Sequence, residues 1–393
     1  MTMTNQTADR FKPFGTTIFA EMSRLAAGHN AVNLSQGFPD FDGPAFVKQA
    51  AIDAINQGHN QYARSPGEPV LVEQLATRFE TRTGIGVDPL AQITVTSGCT
   101  EAIAATLLGI INPGDEVILF EPYYDSYRAC IAMAQGTPRF VSMKPTAGRF
   151  TFDIDDLKAA CTNRTKAILV NTPHNPTGTM FTREELTQIA DLCKQHNTIA
   201  ISDEVYEDLI FDRQHISIAS LPGMSGRTIT LSSLGKSFSL TGWKVGWAIA
   251  SPELTNAIRS SHQFLTYATA TPFQHAAAVA LSEGDEYIGK LKSRYSTARD
   301  MLAGELDALG FGVIIPEGTY FILAEHSAIS SKLGVDNDID LALKLTADFG
   351  VTTIPPSVFC ETKDLCANYL RFAFCKEEAT LVEAIRRLQK LND

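Results

Sequence analysis

The segment SSLGKSFSLTGWKVGW occupies residues 232–247 and joins two apolar runs, residues 228–231 and 247–250. Both runs have the length and composition of strands, and the segment between them is predicted to be a loop. It carries two lysines, Lys236 and Lys244, among glycine and serine residues. Small residues let the backbone and the lysines approach a flat ligand closely. The alternative is a solvated connection, and the rest of the chain has to decide between the two.

A lysine in such a loop can do covalent chemistry. It reacts with an aldehyde only as the free amine, and a second cation or an apolar pocket lowers its pKa toward that form. Lys244 follows Lys236 in the same loop and is a candidate for that second cation. The segment therefore predicts that Lys236 binds the aldehyde of pyridoxal phosphate.

Length and composition favour a protein of two domains in the cytoplasm. The 393 residues exceed what one ordinary core holds. Hydrophobic residues make up 44% and charged residues 20%, and no apolar run approaches the length that crosses a bilayer. The N-terminus lacks the apolar core of a secretion signal. We expect a cytoplasmic protein with no membrane partner.

Charge and cysteine spacing exclude other classes of protein. The formal charge of −11 opposes binding to a phosphate backbone, and no basic run reverses it locally, so we expect no nucleic-acid partner. The seven cysteines are scattered and never spaced as C-x-x-C. This spacing favours neither a disulfide framework nor a zinc site, and we expect no metal.

The chain divides into three parts. Residues 1–43 are an N-terminal arm and a segment joining the small domain, residues 44–288 alternate extended and helical patterns, and residues 289–393 form a smaller α+β domain. The alternation predicts an α/β fold with a mostly parallel central sheet covered by helices. Six strands are predicted in that sheet, at residues 93–96, 116–120, 167–170, 199–202, 228–231 and 246–250.

Ligands in open parallel sheets bind at the carboxyl ends of the strands. Gly98, Cys99 and Thr100 follow the first predicted strand and lead into a helix, whose free N–H groups attract a phosphate. The alternative is a plain strand-to-helix connection.

Two further strand ends carry polar side chains. Asn175 could donate its amide to a phenolate oxygen, or its turn could simply precede a helix that Thr182 and Glu185 cap. Asp203 at 4 Å from a pyridinium nitrogen would attract it by roughly 4 kcal/mol, about three pKa units, which keeps the nitrogen protonated. The alternative for Asp203 is a cap on the following turn.

Together these residues resemble a known family. Asn175, Asp203, Tyr206, Lys236 and Lys244 occur in the order and approximate spacing of the class I and II aminotransferases, which are fold type I enzymes that use pyridoxal phosphate. The match extends over nearly the whole chain. The motifs SQGFPDF, NTPHNP, SDEVY, GKSF, TGWKVGW and LRFAFCKEEATL look like the branch of kynurenine, glutamine and bacterial methionine aminotransferases.

The resemblance implies a role for each site residue. Lys236 would hold the cofactor and move the substrate proton, and Asp203 would pair with the pyridine nitrogen. The remaining cofactor contacts would be Asn175 and Tyr206 to the phenolate oxygen, Tyr123 and Val205 on the two ring faces, and Gly98, Cys99, Thr100, Ser233 and Lys244 around the phosphate. Arg371, with the backbone of Gly37 and the side chain of Asn175, would bind the substrate carboxylate.

The resemblance also implies a homodimer, in which Tyr62 reaches the phosphate of the neighbouring subunit. Phe19 and Tyr267 would lie near the substrate side chain, although a core role for Phe19 fits its position equally well. The bonds Glu121–Pro122 and Asn175–Pro176 would be cis.

The sequence thus predicts an aminotransferase that works by a ping-pong mechanism. No second arginine stands out for a distal carboxylate, so the expected donors are methionine, phenylalanine, tyrosine, glutamine or kynurenine, and the acceptor is a 2-oxo acid. One alternative is a cysteine-S-conjugate β-lyase, because the same carbanion can expel a β-leaving group. Another is a non-catalytic regulator that binds pyridoxal phosphate, but no basic helix-turn-helix precedes the main domain.

Overall fold

The computed structural model describes residues 7–392. Its strands are β1 Val32–Asn33, β2 Ile93–Ser97, β3 Glu116–Glu121, β4 Thr137–Thr146, β5 Arg149–Phe152, β6 Thr165–Asn171, β7 Ile199–Asp203, β8 Thr228–Ser233, β9 Val245–Ile249, β10 Gly312–Ile314, β11 Phe321–Glu325, β12 Val351–Thr352 and β13 Tyr369–Ala373.

Its α-helices are α1 Ile18–Gly28, α2 Ala45–Asn56, α3 Pro69–Thr83, α4 Cys99–Ile110, α5 Asp125–Met133, α6 Ile154–Ala160, α7 Arg183–Gln195, α8 Leu234–Ser237, α9 Pro252–Leu265, α10 Thr271–Glu283, α11 Asp285–Ala308, α12 Ser327–Leu333, α13 Asp338–Lys344 and α14 Glu378–Leu388.

The large sheet has eight strands in the order β2-β9-β8-β7-β6-β3-β4-β5. The pairs from β8 to β4 are parallel, whereas β9 runs antiparallel to both β2 and β8. Strands β3 and β8 are buried along their whole length, because helices cover both faces of a parallel sheet. The α/β fold and all six predicted strands are confirmed.

The hairpin of β4 and β5 was not predicted. Pro138 and Pro145 lie in β4, and prolines within a run argue against a strand. Strand β4 tolerates them because it lies near the edge of the sheet, where its second half pairs only with the edge strand β5.

A second, three-stranded sheet has the order β10-β11-β13, and β1 pairs in parallel with β12. The segment before residue 44 therefore contacts the C-terminal part of the chain. The boundary predicted between residues 288 and 289 lies inside α11, where the chain does not break. The pattern change that suggested it reflects the length of this helix, and the division into domains stays a prediction.

Local signals decide several element ends. Thr182 and Glu185 form a complete capping box at the start of α7, as predicted. The peptide bonds Glu121–Pro122 and Asn175–Pro176 are cis, and Thr172–Pro173 is also cis, which was not predicted.

Among residues 7–392, none of the helices is both long and apolar enough to cross a membrane.

Candidate active site

A cavity of about 290 Å³ opens at the carboxyl ends of the parallel strands. Thirteen of the sixteen predicted site residues line it: Phe19, Gly37, Gly98, Cys99, Thr100, Asn175, Asp203, Val205, Tyr206, Ser233, Lys236, Lys244 and Arg371. Tyr62, Tyr123 and Tyr267 do not.

Lys236 lies on α8, a single helical turn, and not in the open loop that the sequence suggested. Its Nζ atom donates to the hydroxyl of Tyr320 over 2.8 Å and to the carbonyl of Gly37 over 3.3 Å. Burial lowers the pKa of Lys236 to about 8. The free amine that covalent chemistry needs is therefore far more accessible near neutral pH than in an ordinary lysine.

Tyr320 is a site residue that sequence reasoning missed. Its hydroxyl donates to the carbonyl of Gly37 while it accepts from Lys236, and its ring meets that of Tyr206 edge-on at 5.3 Å. In the sequence Tyr320 reads only as the first residue of an apolar strand. Its spacing from Lys236 gives no signal, since 84 residues separate the two.

Asp203 ends β7 with a fully buried carboxylate. The hydroxyl of Tyr127 donates to it over 2.7 Å, and the backbone N–H of Val205 donates over 3.2 Å. The second bond is the turn cap that was the alternative role, and pairing of Asp203 with the cofactor nitrogen stays a prediction. Burial raises the pKa of Asp203 to about 6, and a cation placed against the carboxylate would lower it again.

Asn175 and Arg371 contact each other. Arg371 donates from Nη1 to the amide oxygen of Asn175 over 3.0 Å and from Nη2 to the carbonyl of Ser35 over 2.9 Å. Its Nε has no hydrogen-bond partner among residues 7–392, although the side chain is buried. A buried donor without a partner is costly, and a substrate carboxylate would satisfy it.

Aromatic rings surround the guanidinium of Arg371. Its carbon lies 4.0 Å from the ring centroid of Phe321 and 5.3 Å from that of Phe19. Burial lowers the pKa of Arg371 to about 10, which leaves it charged at neutral pH. Phe19 also stacks on Phe359, so its core role and its place at the cavity are both real.

The N-terminus of α4 forms an anion cradle with its neighbours. Gly98 has φ 78°, and a Cβ built there would lie 3.1 Å from Nζ of Lys244. A Cβ on Gly246 would lie 2.5 Å from the carbonyl carbon of Gly98 and 2.6 Å from the nitrogen of Cys99. Because these backbones approach so closely, Lys244 lies beside the free N–H groups at the start of α4. This arrangement suits the binding of a phosphate.

The prediction that Tyr123 contacts the cofactor ring names the wrong residue. Tyr123 lies outside the cavity lining, where its ring stacks on Phe140 at 5.5 Å and its N–H donates to the carbonyl of Phe359. The next residue, Tyr124, lines the cavity instead. Two adjacent tyrosines give no sequence signal for which one faces a site, and the fixed backbone of Tyr123 decides it.

Tyr62 and Tyr267 lie together on the surface. Tyr62 is 89% exposed and Tyr267 is 48% exposed, and their rings meet edge-on at 5.7 Å. Neither reaches the cavity of its own chain, so the predicted place of Tyr267 beside the substrate is not found within one subunit.

One cluster outside the cavity has side chains of metal-binding type. Glu204, Glu207 and His215 offer ligand atoms within 4.8 Å of one another. His215 pairs with Glu204 over 2.7 Å and Arg82 with Glu207 over 2.6 Å, so protein cations already accompany both carboxylates.

The cavity fits pyridoxal phosphate. The cavity offers one group for each reactive part of the cofactor: the anion cradle for the phosphate, the buried carboxylate of Asp203 for the ring nitrogen, and the amine of Lys236 for the aldehyde. Tyr206 adds a hydroxyl, and burial raises its pKa, so it stays protonated and can donate.

Comparison with known proteins agrees with this geometry. The model of the family "Aminotransferase class I and II" matches residues 29–388. A probable N-succinyldiaminopimelate aminotransferase of Mycobacterium tuberculosis is 43% identical over 98% of both chains. A kynurenine–oxoglutarate transaminase of Dictyostelium discoideum is 41% identical over 100% of this chain and 98% of its own.

The same likeness holds among solved structures. An Escherichia coli protein with a methionine aminotransferase function superposes with a TM-score of 0.93 at 37% identity, covering 98% of this chain and 99% of its own. The chain therefore belongs to the class I and II aminotransferases, and it is an enzyme that uses pyridoxal phosphate.

Proposed function

We propose that this aminotransferase takes its amino group from amino acids with uncharged side chains, methionine, glutamine, kynurenine and the aromatic amino acids among them, and passes it to a 2-oxo acid. The observation that carries the proposal is the lining of the cavity. Among the described residues, its cations are Lys236, Lys244 and Arg371, and all three have tasks at the cofactor or the α-carboxylate.

The rest of the lining suits an uncharged side chain. Phe19, Gln36 and Phe38, with the backbone of Gly37, form the part of the lining contributed by the N-terminal segment. The amide nitrogen of Gln36 donates to the carbonyl of Phe19 and to the hydroxyl of Ser23, which fixes the orientation of the amide. Two rings and an amide bind thioether, aromatic or carboxamide groups, and they offer no counter-ion to a distal carboxylate.

The relatives support this choice of donor in part. Kynurenine and methionine, named for two of them, have uncharged side chains at neutral pH. N-succinyldiaminopimelate, named for the Mycobacterium tuberculosis relative, is larger and carries distal carboxylates. The donor panel below therefore includes it as the competing substrate.

Each side chain has a separate task in the reaction. When bound, pyridoxal phosphate supplies an electron-withdrawing ring that stabilises negative charge on the substrate α-carbon. Lys236 takes the α-proton at Nζ and returns it, and the pKa near 8 that burial gives it makes both transfers accessible near neutral pH. Arg371 orients the substrate through its carboxylate.

Asp203, Asn175 and Tyr206 control the charge on the ring. The carboxylate of Asp203 would stabilise a proton on the ring nitrogen, and the donors of Asn175 and Tyr206 would hold negative charge on the ring oxygen. Cys99 and Thr100 would hold the phosphate through their backbone N–H groups, and Lys244 would neutralise it. Tyr124, which lines the cavity where Tyr123 does not, would lie against the ring.

We also propose a homodimer in which Tyr62 and Tyr267 reach the cavity of the partner. Their pairing and their exposure support this, because large rings held at 5.7 Å and left in water form a ready contact surface. Sedimentation should give the mass of two chains. Tyr62→Phe should weaken cofactor binding without dissociating the dimer, whereas a monomer with full activity would refute the assignment.

The first experiment is the visible absorption spectrum of the purified enzyme before and after methionine is added, beside Lys236→Ala. The wild type should show the band of the lysine-bound cofactor and lose it with methionine, and the variant should not turn over. A wild type without that band after addition of pyridoxal phosphate would overturn the site. A donor panel follows, and faster turnover of aspartate or N-succinyldiaminopimelate than of methionine would overturn the choice of donor.

A further inference from the structure

Two arginines of α3 hold the segment that carries Lys236 from outside the active-site cavity. Arg78 and Arg82 lie one helical turn apart, and neither lines that cavity. Their partners are Glu207 and Asp208 in the turn after β7. We call these four residues the arginine clamp.

Asp208 is the centre of the clamp. Its carboxylate is 8% exposed and accepts from Nη2 of Arg78 at 2.9 Å, from Arg82, and from the hydroxyl of Ser237 at 2.6 Å. Ser237 follows Lys236 on α8. The carboxylate thus connects two helices that are far apart in the sequence.

Glu207 repeats the arrangement at the other end of the segment. Its carboxylate pairs with Arg82 over 2.6 Å and accepts from the hydroxyl of Ser232 over 2.9 Å. Ser232 and Ser237 flank Ser233 and Lys236, which both line the cavity. The clamp therefore fixes the segment on both sides of the residues that do the chemistry.

The turn at residues 205–208 divides its side chains between two tasks. Val205 and Tyr206 line the cavity, whereas Glu207 and Asp208 bind the arginines. A shift of the clamp would move Tyr206 and Lys236 relative to each other, because the carboxylates of Glu207 and Asp208 pair with the arginines and also accept from Ser232 and Ser237 on either side of Lys236.

Because the clamp is buried, its hydrogen bonds require well-defined positions of the bonded groups. Removing paired charges from water costs nearly as much free energy as their attraction returns, so the clamp adds little net stability to the fold. Each of its hydrogen bonds nevertheless constrains the position and angle of the side chains that it joins. Charge-assisted bonds from three groups, Arg78, Arg82 and Ser237, leave the Asp208 carboxylate one arrangement.

We propose that the arginine clamp positions Lys236 and Tyr206 for proton transfer, with Arg78, Arg82, Glu207 and Asp208 acting as positioning residues that touch neither cofactor nor substrate. The proposal rests on the proposed function of Lys236.

Two variants test it with a matched control. Asp208→Asn keeps the shape of the side chain and removes its charge, and Ser237→Ala removes only one hydroxyl. The control is Glu116→Gln, because the carboxylate of Glu116 is also buried and also binds two arginines, Arg139 and Arg164, and one hydroxyl, at the amino end of β3.

The readouts are the visible circular dichroism of the lysine-bound cofactor, kcat, KM for methionine and Tm. Asp208→Asn and Ser237→Ala should weaken the dichroism and lower kcat, about tenfold for Asp208→Asn, with KM within about twofold, since misplaced groups lose rate before they lose binding. Glu116→Gln should lower Tm as Asp208→Asn does and leave dichroism and kcat unchanged. Ser237→Thr, which restores the hydroxyl, should recover both.

Either of two results would overturn the clamp: unchanged dichroism and kcat in Ser237→Ala, or equal changes in Glu116→Gln. If Asp208→Asn does not fold, Ser237→Ala and Ser237→Thr decide alone. Failure of the proposed function is distinct, because the wild type itself would then lack the visible band.

Discussion

The bond from Nη1 of Arg371 to the amide oxygen of Asn175, 3.0 Å long, decides which end of the Asn175 amide is free. Because the oxygen is bound, the amide nitrogen is left to donate to the ring oxygen of the cofactor. One side chain thereby links the substrate carboxylate site to the ring, and its substitution should affect both.

Asn175→Asp should raise KM for the amino donor by at least about tenfold, which is 1.4 kcal/mol of binding. A carboxylate at this place pairs with Arg371 and competes with the substrate for it. Steady-state kinetics with methionine measures the change, and cofactor titration of the same variant should show weaker binding. An unchanged KM would mean that Arg371 does not bind the substrate carboxylate.

Asp203→Asn should stabilise the cofactor-free protein above pH 6. Burial raises the pKa of Asp203 from 3.8 to about 6, so the folded state pays for ionisation as pH rises through that window. The cost is about 3 kcal/mol, present above pH 6 and absent below about pH 4. Thermal unfolding at pH 4.5 and pH 7.5 checks this, and the gain of the Asn variant should be about three times larger at the higher pH. Its kcat should fall about a hundredfold, because the ring nitrogen loses its counter-ion.

The rate at which cofactor-free enzyme captures pyridoxal phosphate should rise with pH, with its midpoint near pH 8. Only the free amine of Lys236 reacts, and burial places its pKa near 8, well below the usual 10.5. Stopped-flow absorbance at several pH values gives the midpoint. A midpoint near that of an ordinary lysine would show that the amine is solvated before capture.

Gly246→Ala should weaken cofactor binding by more than about tenfold. The added Cβ would lie 2.5 Å from the backbone of Gly98, so the N-terminus of α4 has to move away from Lys244. Gly242→Ala is the matched control, because a Cβ there has no atom within 4 Å. Fluorescence titration of both variants decides, and equal affinities would contradict the role of the cradle.

Local pattern predicted the scaffold of the site well. Asp203, Lys236 and Asn175 each follow a strand of the parallel sheet, and the carboxyl ends of such strands meet at one edge. The chain order of strands and helices was therefore enough to expect these side chains at one cavity, before any distance was known.

The order of strands and helices could not identify site residues that come from other parts of the chain. Tyr320 precedes a small-sheet strand and reaches Lys236 only because β11 packs beside the cavity. Tyr124 lines the cavity, whereas the ring of Tyr123 stacks on Phe140 and its backbone N–H donates to the carbonyl of Phe359, more than two hundred residues later. Neither contact has a local sequence signal.

The contact between Arg371 and the carbonyl of Ser35 spans 336 residues, and Lys376 reaches the carbonyl of Phe38 across 338. A chain made from its N-terminus completes residues 98–244, which hold the cofactor groups, well before it reaches Arg371. The order of synthesis thus separates the two halves of the site in time. A nascent chain can gather its phosphate cradle and its lysine early, but it cannot bind the carboxylate of an amino acid until Arg371 has left the ribosome.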